Sequence, residues 1–335
     1  MRVIRFGDRG PEVHDIQQRL VALGGHVDPA ELDGTFGPST ESAVRVFQER
    51  RSLQVDGRVG QDTWAQLVEA GYRLGDRTLY LRAPLSRGDD VRALQRKLNA
   101  LGFDAGKEDG SFGARTDRAV REFQRNVGED PDGIVGNETL TVLERMRPSE
   151  SGPSRAVVRE TEALRAMRAA SIEGQIIAID PGPGEGADAI GAALADELAH
   201  LGAKPVLLRG DDEEPGPPER ARAANELGAA LSISIQLGSD PTSAGPSCSY
   251  FGTEATHSPA GLQLAELILQ ELESELGGRG RLQRLTGAML RETRMPAVQV
   301  EPLGTTDDPG KTRDRVFASR VAAAVAAGVR RFFSS

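Results

Sequence analysis

The sequence predicts a multidomain chain, with two small three-helix α domains ahead of a three-layer α/β domain built on a mostly parallel twisted sheet. Three observations lead there. The first part of the chain contains one segment twice, a Pro-, Ser- and Gly-rich stretch follows it, and short apolar runs then alternate with helical stretches. At 335 residues there is room for two or three domains of about 100–200 residues each. Hydrophobic residues at 38% and charged residues at 27% give a globular balance. The longest apolar runs fall well short of the roughly 18–20 residues a membrane-spanning helix needs, so membrane insertion is not expected.

The repeat is explicit. Arg9-Gly10 through Val13, Gln17 and Leu20 returns as Arg87-Gly88 through Val91, Gln95 and Leu98. Asp33-Gly34-Thr35-Phe36-Gly37 returns as Asp109-Gly110-Ser111-Phe112-Gly113, and Phe47-Gln48 as Phe123-Gln124. Val13, Ile16, Gln17, Leu20 and Leu23 have the spacing of an amphipathic helix, with Gly24 beyond its end. Ala43, Val44 and Phe47 mark a second helix, and Trp64 and Leu67 a third. Phe36, Phe47, Trp64 and Phe112 are expected in the core. Domain boundaries fall at 1–72 and 73–146, then a linker with a connecting helix over 147–172, then 173–335.

In the third part, buried strands are expected over 175–180, 205–208, 230–235 and 296–300, with another over 245–251. Helices are expected over 187–201, 218–227, 261–276 and 312–333. Strands alternating with helices make an α/β sheet.

Charge and rare residues exclude much. With 50 acidic against 41 basic residues the net charge is −9, and aromatics make up only 4%, so no nucleic-acid partner is expected. One Cys excludes an intramolecular disulfide, and the N-terminus shows no secretory pattern, which together predict a cytoplasmic protein. Four His and one Cys set a low ceiling on transition-metal chemistry. His14, His26, His200 and His257 are expected as solvated residues with no shared site. Cys248 is expected to pack within a strand rather than act as a nucleophile.

The repeat motifs, from the Gly-x-x-Val helix start through Asp-Gly-x-Phe-Gly to Asp-Gly-x-Val-Gly, resemble the peptidoglycan-binding type 1 domain. That resemblance implies binding of peptidoglycan fragments or precursors. Residues 175–333 resemble the zinc-dependent N-acetylmuramoyl-L-alanine amidase (amidase 3) family. The motifs are Ile179-Asp180-Pro181-Gly182, Leu208-Arg209, Arg220-x-x-x-Ala224-Asn225, Ser234-Ile235 and Met295-Pro296-Ala297-Val298-Gln299-Val300-Glu301. In that family a His follows the first strand and another closes the Ser-Ile strand, both binding zinc. These positions are Pro183 and Gln236 here. In that family a Glu ligand begins the first helix after an intervening loop, and that loop is largely absent here. Glu185 is a candidate to replace that ligand, and is not expected to.

The resemblance also implies that Glu301 is the catalytic carboxylate, here vestigial, and that Arg209, Arg220, Asn225 and Gln236 line a vestigial binding cleft. A carboxylate ending a buried strand can instead persist by pairing with an Arg such as Arg209 or Arg294. Catalytic zinc needs about three protein ligands and lowers the pKa of its water to about 7. Proline has no side-chain donor, and an amide oxygen competes poorly with imidazole. No metal and no cofactor are therefore expected, and the domain reads as a pseudo-amidase. An active amidase with a remodelled zinc site, or a fragment-binding protein, are the other readings.

Two such modules ahead of such a domain resemble a narrow actinobacterial group, the CwlM-type regulators. The resemblance implies a regulator of peptidoglycan precursor synthesis whose partner is the enolpyruvyl transferase MurA. It also implies phosphorylation of a C-terminal tail. This sequence ends soon after the 312–333 helix, so that tail is expected to be missing or reduced.

Overall fold

The structure, a computed structural model, describes residues 2–146, 171–209, 215–237, 245–252, 257–303 and 314–334. The connecting helix expected over 156–170 lies outside the described residues. Two compact units emerge: Met1–Val44 with Arg58–Glu160, and Arg45–Gly57 with Thr161–Ser335.

The first unit holds α1 (Pro11–Ala22), a short 3-10 turn (Pro29–Glu31), the start of α2 (Pro38–Arg50), α3 (Gln61–Glu69), α4 (Asp89–Ala100), α5 (Ala114–Val127) and α6 (Asn137–Arg145). Pro11 opens α1, where its missing N–H costs nothing. Asp89 and Asp90 lie in the first turn of α4 and Lys97 in its last, opposite the partial charges of the helix ends. The second repeat closes on Val91, Leu94, Leu98, Phe112 and Phe123, with Phe103 edge-on to Phe123 at 5.5 Å between ring centroids.

Two buried glutamines explain why both repeats keep Gln at one place. The Gln17 amide donates to the carbonyls of Glu31 and Thr35 and to Thr40, and its oxygen accepts from the Gly34 N–H at 3.2 Å. Gln95 does the same with Ser111, Thr116 and the Gly110 N–H at 2.9 Å. Each glutamine ties the helix to an Asp-Gly turn. Gly34 has φ 85, and a Cβ there would fall 2.9 Å from the Gly10 carbonyl oxygen, so the turn requires glycine.

Phe36, Phe47 and Phe112 are core residues as expected. Trp64 is not. It is half-buried, with the Arg19 guanidinium 5.2 Å from its ring centroid. An indole with a cation on its face gains from staying at the surface.

The second unit is a six-stranded sheet in the order β2-β1-β3-β6-β4-β5. The strands are β1 (Ile176–Pro181), β2 (Lys204–Leu207), β3 (Leu231–Ile235), β4 (Ser247–Phe251), β5 (Arg281–Leu285) and β6 (Ala297–Glu301). All pairings are parallel except β4 with β6. The helices are α7 (Glu185–His200), α8 (Pro217–Glu226), α9 (Pro259–Leu276), α10 (Ala288–Arg291) and α11 (Arg315–Ser334).

Side chains alternate across a strand, and here the two faces differ in kind. Ile177, Ile179, Ile233, Val298 and Val300 meet Leu194 of α7, Leu264 and Ile268 of α9, and Val321 and Val325 of α11. On the opposite face lie Ala178, Asp180, Ser232, Ser234, Gln299 and Glu301, with Ala224 of α8 and Met295 in a small cluster beside Ala178. Helices α9 and α11 approach closely: a Cβ at Gly328 would lie 2.7 Å from Ile268 Cα.

β5 and α10 escaped the sequence reading. β5 is an edge strand whose polar and charged residues are mostly half-buried, so no apolar run announces it. α10 has four residues, too few to show a period.

Replacing Gln95 by Leu strands the buried Gly110 N–H. We expect a loss of about 1–3 kcal/mol in urea unfolding, with faster hydrogen exchange at Gly110. A change under about 0.5 kcal/mol would show that the glutamine is dispensable.

Candidate functional site

In an open α/β sheet, a crevice forms where strand order reverses, outside the carboxyl ends of the strands. Here β2 and β3 flank β1 on opposite sides, which by that rule puts the crevice beyond the ends of β1, β3 and β6. The chain places Pro181-Gly182-Pro183, Gln236 and Glu301 there. The Gly182 N–H donates to the Ile235 carbonyl at 2.7 Å, and the Gln236 N–H to the Val300 carbonyl at 2.9 Å. A Cβ on Gly182 would fall 2.6 Å from Gln236 Oε1, so the bare glycine backbone is what lets the Gln236 amide lie against this loop. Pro183 is exposed and carries no donor atom. The Glu185 side chain lies outside the described residues.

Glu301 ends β6 at 6% exposure. Its Oε1 accepts from Gln299 Nε2 at 3.1 Å and from Gln54 Nε2 at 3.1 Å. Ser247, its register partner on β4, donates to Oε2 at 3.5 Å. Gln54 belongs to the 45–57 segment that groups with the α/β unit. That segment is also held by Thr286, whose hydroxyl donates to the Arg51 carbonyl at 2.5 Å and whose N–H donates to the Ser52 carbonyl at 2.7 Å. Two amides and a hydroxyl therefore donate to the carboxylate. Sequence reasoning missed Gln54 because 247 positions separate it from Glu301.

Arg220 does not point into an open cleft. It is 8% exposed, and its Nε lies 2.6 Å from Asp180 Oδ1. Its Nη1 donates to the Pro215 carbonyl at 2.6 Å. Ser234 donates to Asp180 Oδ2 at 3.0 Å. Burial pushes the Asp180 carboxyl above its ordinary value, while Arg220, Ser234 and Arg209 pull it down. Arg209 reaches the Pro181 carbonyl at 3.5 Å.

Asn225 braces the chain. Its Nδ2 donates to the Glu292 carbonyl at 2.9 Å, and its Oδ1 accepts from the Arg294 N–H at 2.7 Å. This fixes the turn that leads into β6. The structure thus brings Gln236 and Glu301 to the strand ends, and gives Arg220 and Asn225 to internal bracing.

Cys248 is fully buried, and burial pushes its thiol well above the ordinary value, with the Glu301 carboxylate adding to the shift. Such a thiol stays protonated and packs. His14, His26 and His200 are exposed. His257 is half-buried, with its ring 6.2 Å from that of Tyr250, because a bridge between Gly252 and His257 returns the chain beside β4. Among the described residues, no three His, Cys, Asp or Glu side chains converge as a metal-holding group. No helix among them is long and apolar enough to cross a membrane.

Residues 9–67 and 87–143 match the family described as "Putative peptidoglycan binding domain", and residues 185–331 the family described as "N-acetylmuramoyl-L-alanine amidase". The amidase match begins past β1 and Pro183. The chain belongs to the N-acetylmuramoyl-L-alanine amidase (amidase 3) family, in the CwlM-type arrangement of two peptidoglycan-binding domains followed by an amidase-fold domain. It is 37% identical to the N-acetylmuramoyl-L-alanine amidase CwlM of Mycobacterium tuberculosis, over 97% of this chain and 87% of that protein. It is 31% identical to the N-acetylmuramoyl-L-alanine amidase CwlL of Bacillus licheniformis, over 43% of this chain and 46% of that one. The crystal structure of the amidase Ami1 from Mycobacterium smegmatis aligns at 21% identity with a TM-score of 0.43, covering 49% of this chain and 99% of that one.

Replacing Arg220 by Met leaves Asp180 buried without its counter-charge. We expect a loss of about 3–5 kcal/mol in urea unfolding near neutral pH, largely recovered in the Asp180→Asn/Arg220→Met double variant. The native Asp180 carboxyl of the single variant then takes up a proton at higher pH than the unfolded chain does. Its penalty is therefore full above the raised native pKa and relieved as pH falls toward the ordinary 3.8. A pH-independent penalty would contradict the pairing.

Proposed function

We propose that this chain is a non-catalytic regulator or scaffold of peptidoglycan precursor synthesis, carried by an amidase fold whose strand ends do not fit zinc. The observation that carries the reading is the donor set in the crevice. Where the family resemblance calls for two imidazoles, Pro183 offers no atom and Gln236 a neutral amide packed against Gly182. A neutral amide oxygen is a poor zinc ligand beside imidazole or thiolate. The hydrogen bonding of Glu301 supports the same reading. Gln54 and Gln299 both donate to Oε1 and Ser247 lies 3.5 Å from Oε2, so most of the acceptor capacity that a general base would turn toward a water is engaged.

Such a domain acts by binding. The repeats supply affinity for peptidoglycan fragments or precursors, which the matched family's description supports. The protein partner is an early precursor enzyme, the enolpyruvyl transferase MurA, as the CwlM-type arrangement implies, and the site of action is cytoplasmic.

Two measurements test this. Purified chain mixed with purified MurA is expected to bind in calorimetry, and no heat of binding at accessible concentrations would remove the partner. Metal analysis of the Pro183→His/Gln236→His variant tests the crevice. We expect wild type to retain zinc far below one ion per chain after dialysis, and the variant to retain clearly more. Equal zinc in the two would show that these positions do not face a metal-sized site, and stoichiometric zinc in wild type would favour a remodelled, active amidase.

A further inference from the structure

The two repeats share a fold and differ beside the bridge that closes each of them: Ile4 with Val59 in the first, Leu79 with Val135 in the second. In the second repeat the chain fills this place itself. Arg77 donates from Nε to Asp90 Oδ2 at 2.7 Å and from Nη2 to the Arg87 carbonyl at 2.5 Å. Its guanidinium lies 3.7 Å from the centroid of the Tyr72 ring. A cation thus sits between a buried carboxylate and an aromatic face, with Leu74 and Leu140 packed into the core alongside.

The same positions in the first repeat are Arg2 for Arg77, Glu12 for Asp90 and Trp64 for Leu140. Arg2 turns instead to Asp8 at 2.6 Å, with its side chain 80% exposed. Glu12 has no ion-pair partner among the described residues. In place of the internal cation and its tyrosine there is a partly open pocket of about 330 Å³, lined by Arg2, Ile4, Asp8, Arg9, Glu12, Val13 and Trp64.

We propose that this cavity is a ligand site of the first repeat alone and that it takes a short zwitterionic peptide. The ligand's ammonium group meets Glu12 beside the Trp64 ring, as Arg77 meets Asp90 beside Tyr72. Its carboxylate meets the Arg9 guanidinium, and its aliphatic part covers Ile4 and Val13. Three observations select this chemistry. The volume suits a molecule of two or three residues. The lining charges cancel, Arg2 and Arg9 against Asp8 and Glu12, which disfavours a polyanion or a polycation. Glu12, a lining carboxylate without an ion-pair partner among the described residues, favours a cation. The second repeat, filled from within, keeps the fold without the site. The inference concerns the first repeat only and stands apart from the regulatory reading of the α/β unit.

Trp64 is the sole tryptophan of the chain, so its emission reports on this cavity directly. The full chain is titrated with the dipeptide alanyl-lysine bearing free termini. We expect a saturable change in emission with half-saturation in the millimolar range, as a ligand of about fifteen heavy atoms allows. Glu12→Gln, an exposed position whose variant is checked by circular dichroism, is expected to weaken binding about tenfold, and so is acetylation of both amines of the dipeptide. No saturable change in wild type would overturn the proposal. So would equal half-saturation for wild type and Glu12→Gln, or for the free and acetylated dipeptides.

Discussion

A carboxylate enclosed in a sheet requires a counter-charge, and Asp180 imposes that requirement on the α/β unit. It stands near the end of β1 on the polar face, fully buried, and two elements answer it. α8 delivers Arg220 from one side, and β3 delivers Ser234 from the neighbouring strand. The pair fixes where α8 lies, and α8 in turn carries Asn225, which holds the turn before β6. From that turn the register of β6 follows, and with it the position of Glu301. An ion pair thus sets the geometry of the strand ends.

The two faces of the sheet divide the work. Large branched side chains pack against α7, α9 and α11 and supply most of the apolar burial, the dominant favourable contribution to folding. The opposite face is built from Ala, Ser, Asp, Gln and Glu, and its order depends on hydrogen bonds rather than volume. Buried polar networks of this kind are costly unless each member is satisfied. Glu301 meets that condition through Gln54, Gln299 and Ser247. The donors that make a buried carboxylate tolerable are drawn from three separate segments, so the position of Glu301 depends on all of them.

Much of the architecture was legible in the sequence because periodicity reports burial. The repeat gave away the helical modules, and runs such as Ile176 to Ile179 gave the central strands. What stayed hidden was polar or distant. Gln17 and Gln95 read as members of a helical stripe, while their role lies in turns more than a dozen positions away. Arg220 read as a cleft residue through the amidase resemblance, and only the fold, with β1 beside β3, shows that Asp180 claims it. Trp64 read as core by its spacing. Its counterpart Leu140 does pack in the core, but the indole stays half-buried under Arg19. Neither repeat's sequence shows that one fills its own cavity and the other leaves it open.

On the proposed reading, the strand ends of the amidase-fold domain do not organise a metal-bound water. The most direct test of that reading is a hydrolysis assay of the wild-type chain on purified muropeptides with zinc in large excess, following release of the peptide from the muramoyl group. The account expects no release above that of a heat-denatured control. Zinc-dependent release that saturates with substrate and is abolished by Glu301→Gln would contradict it.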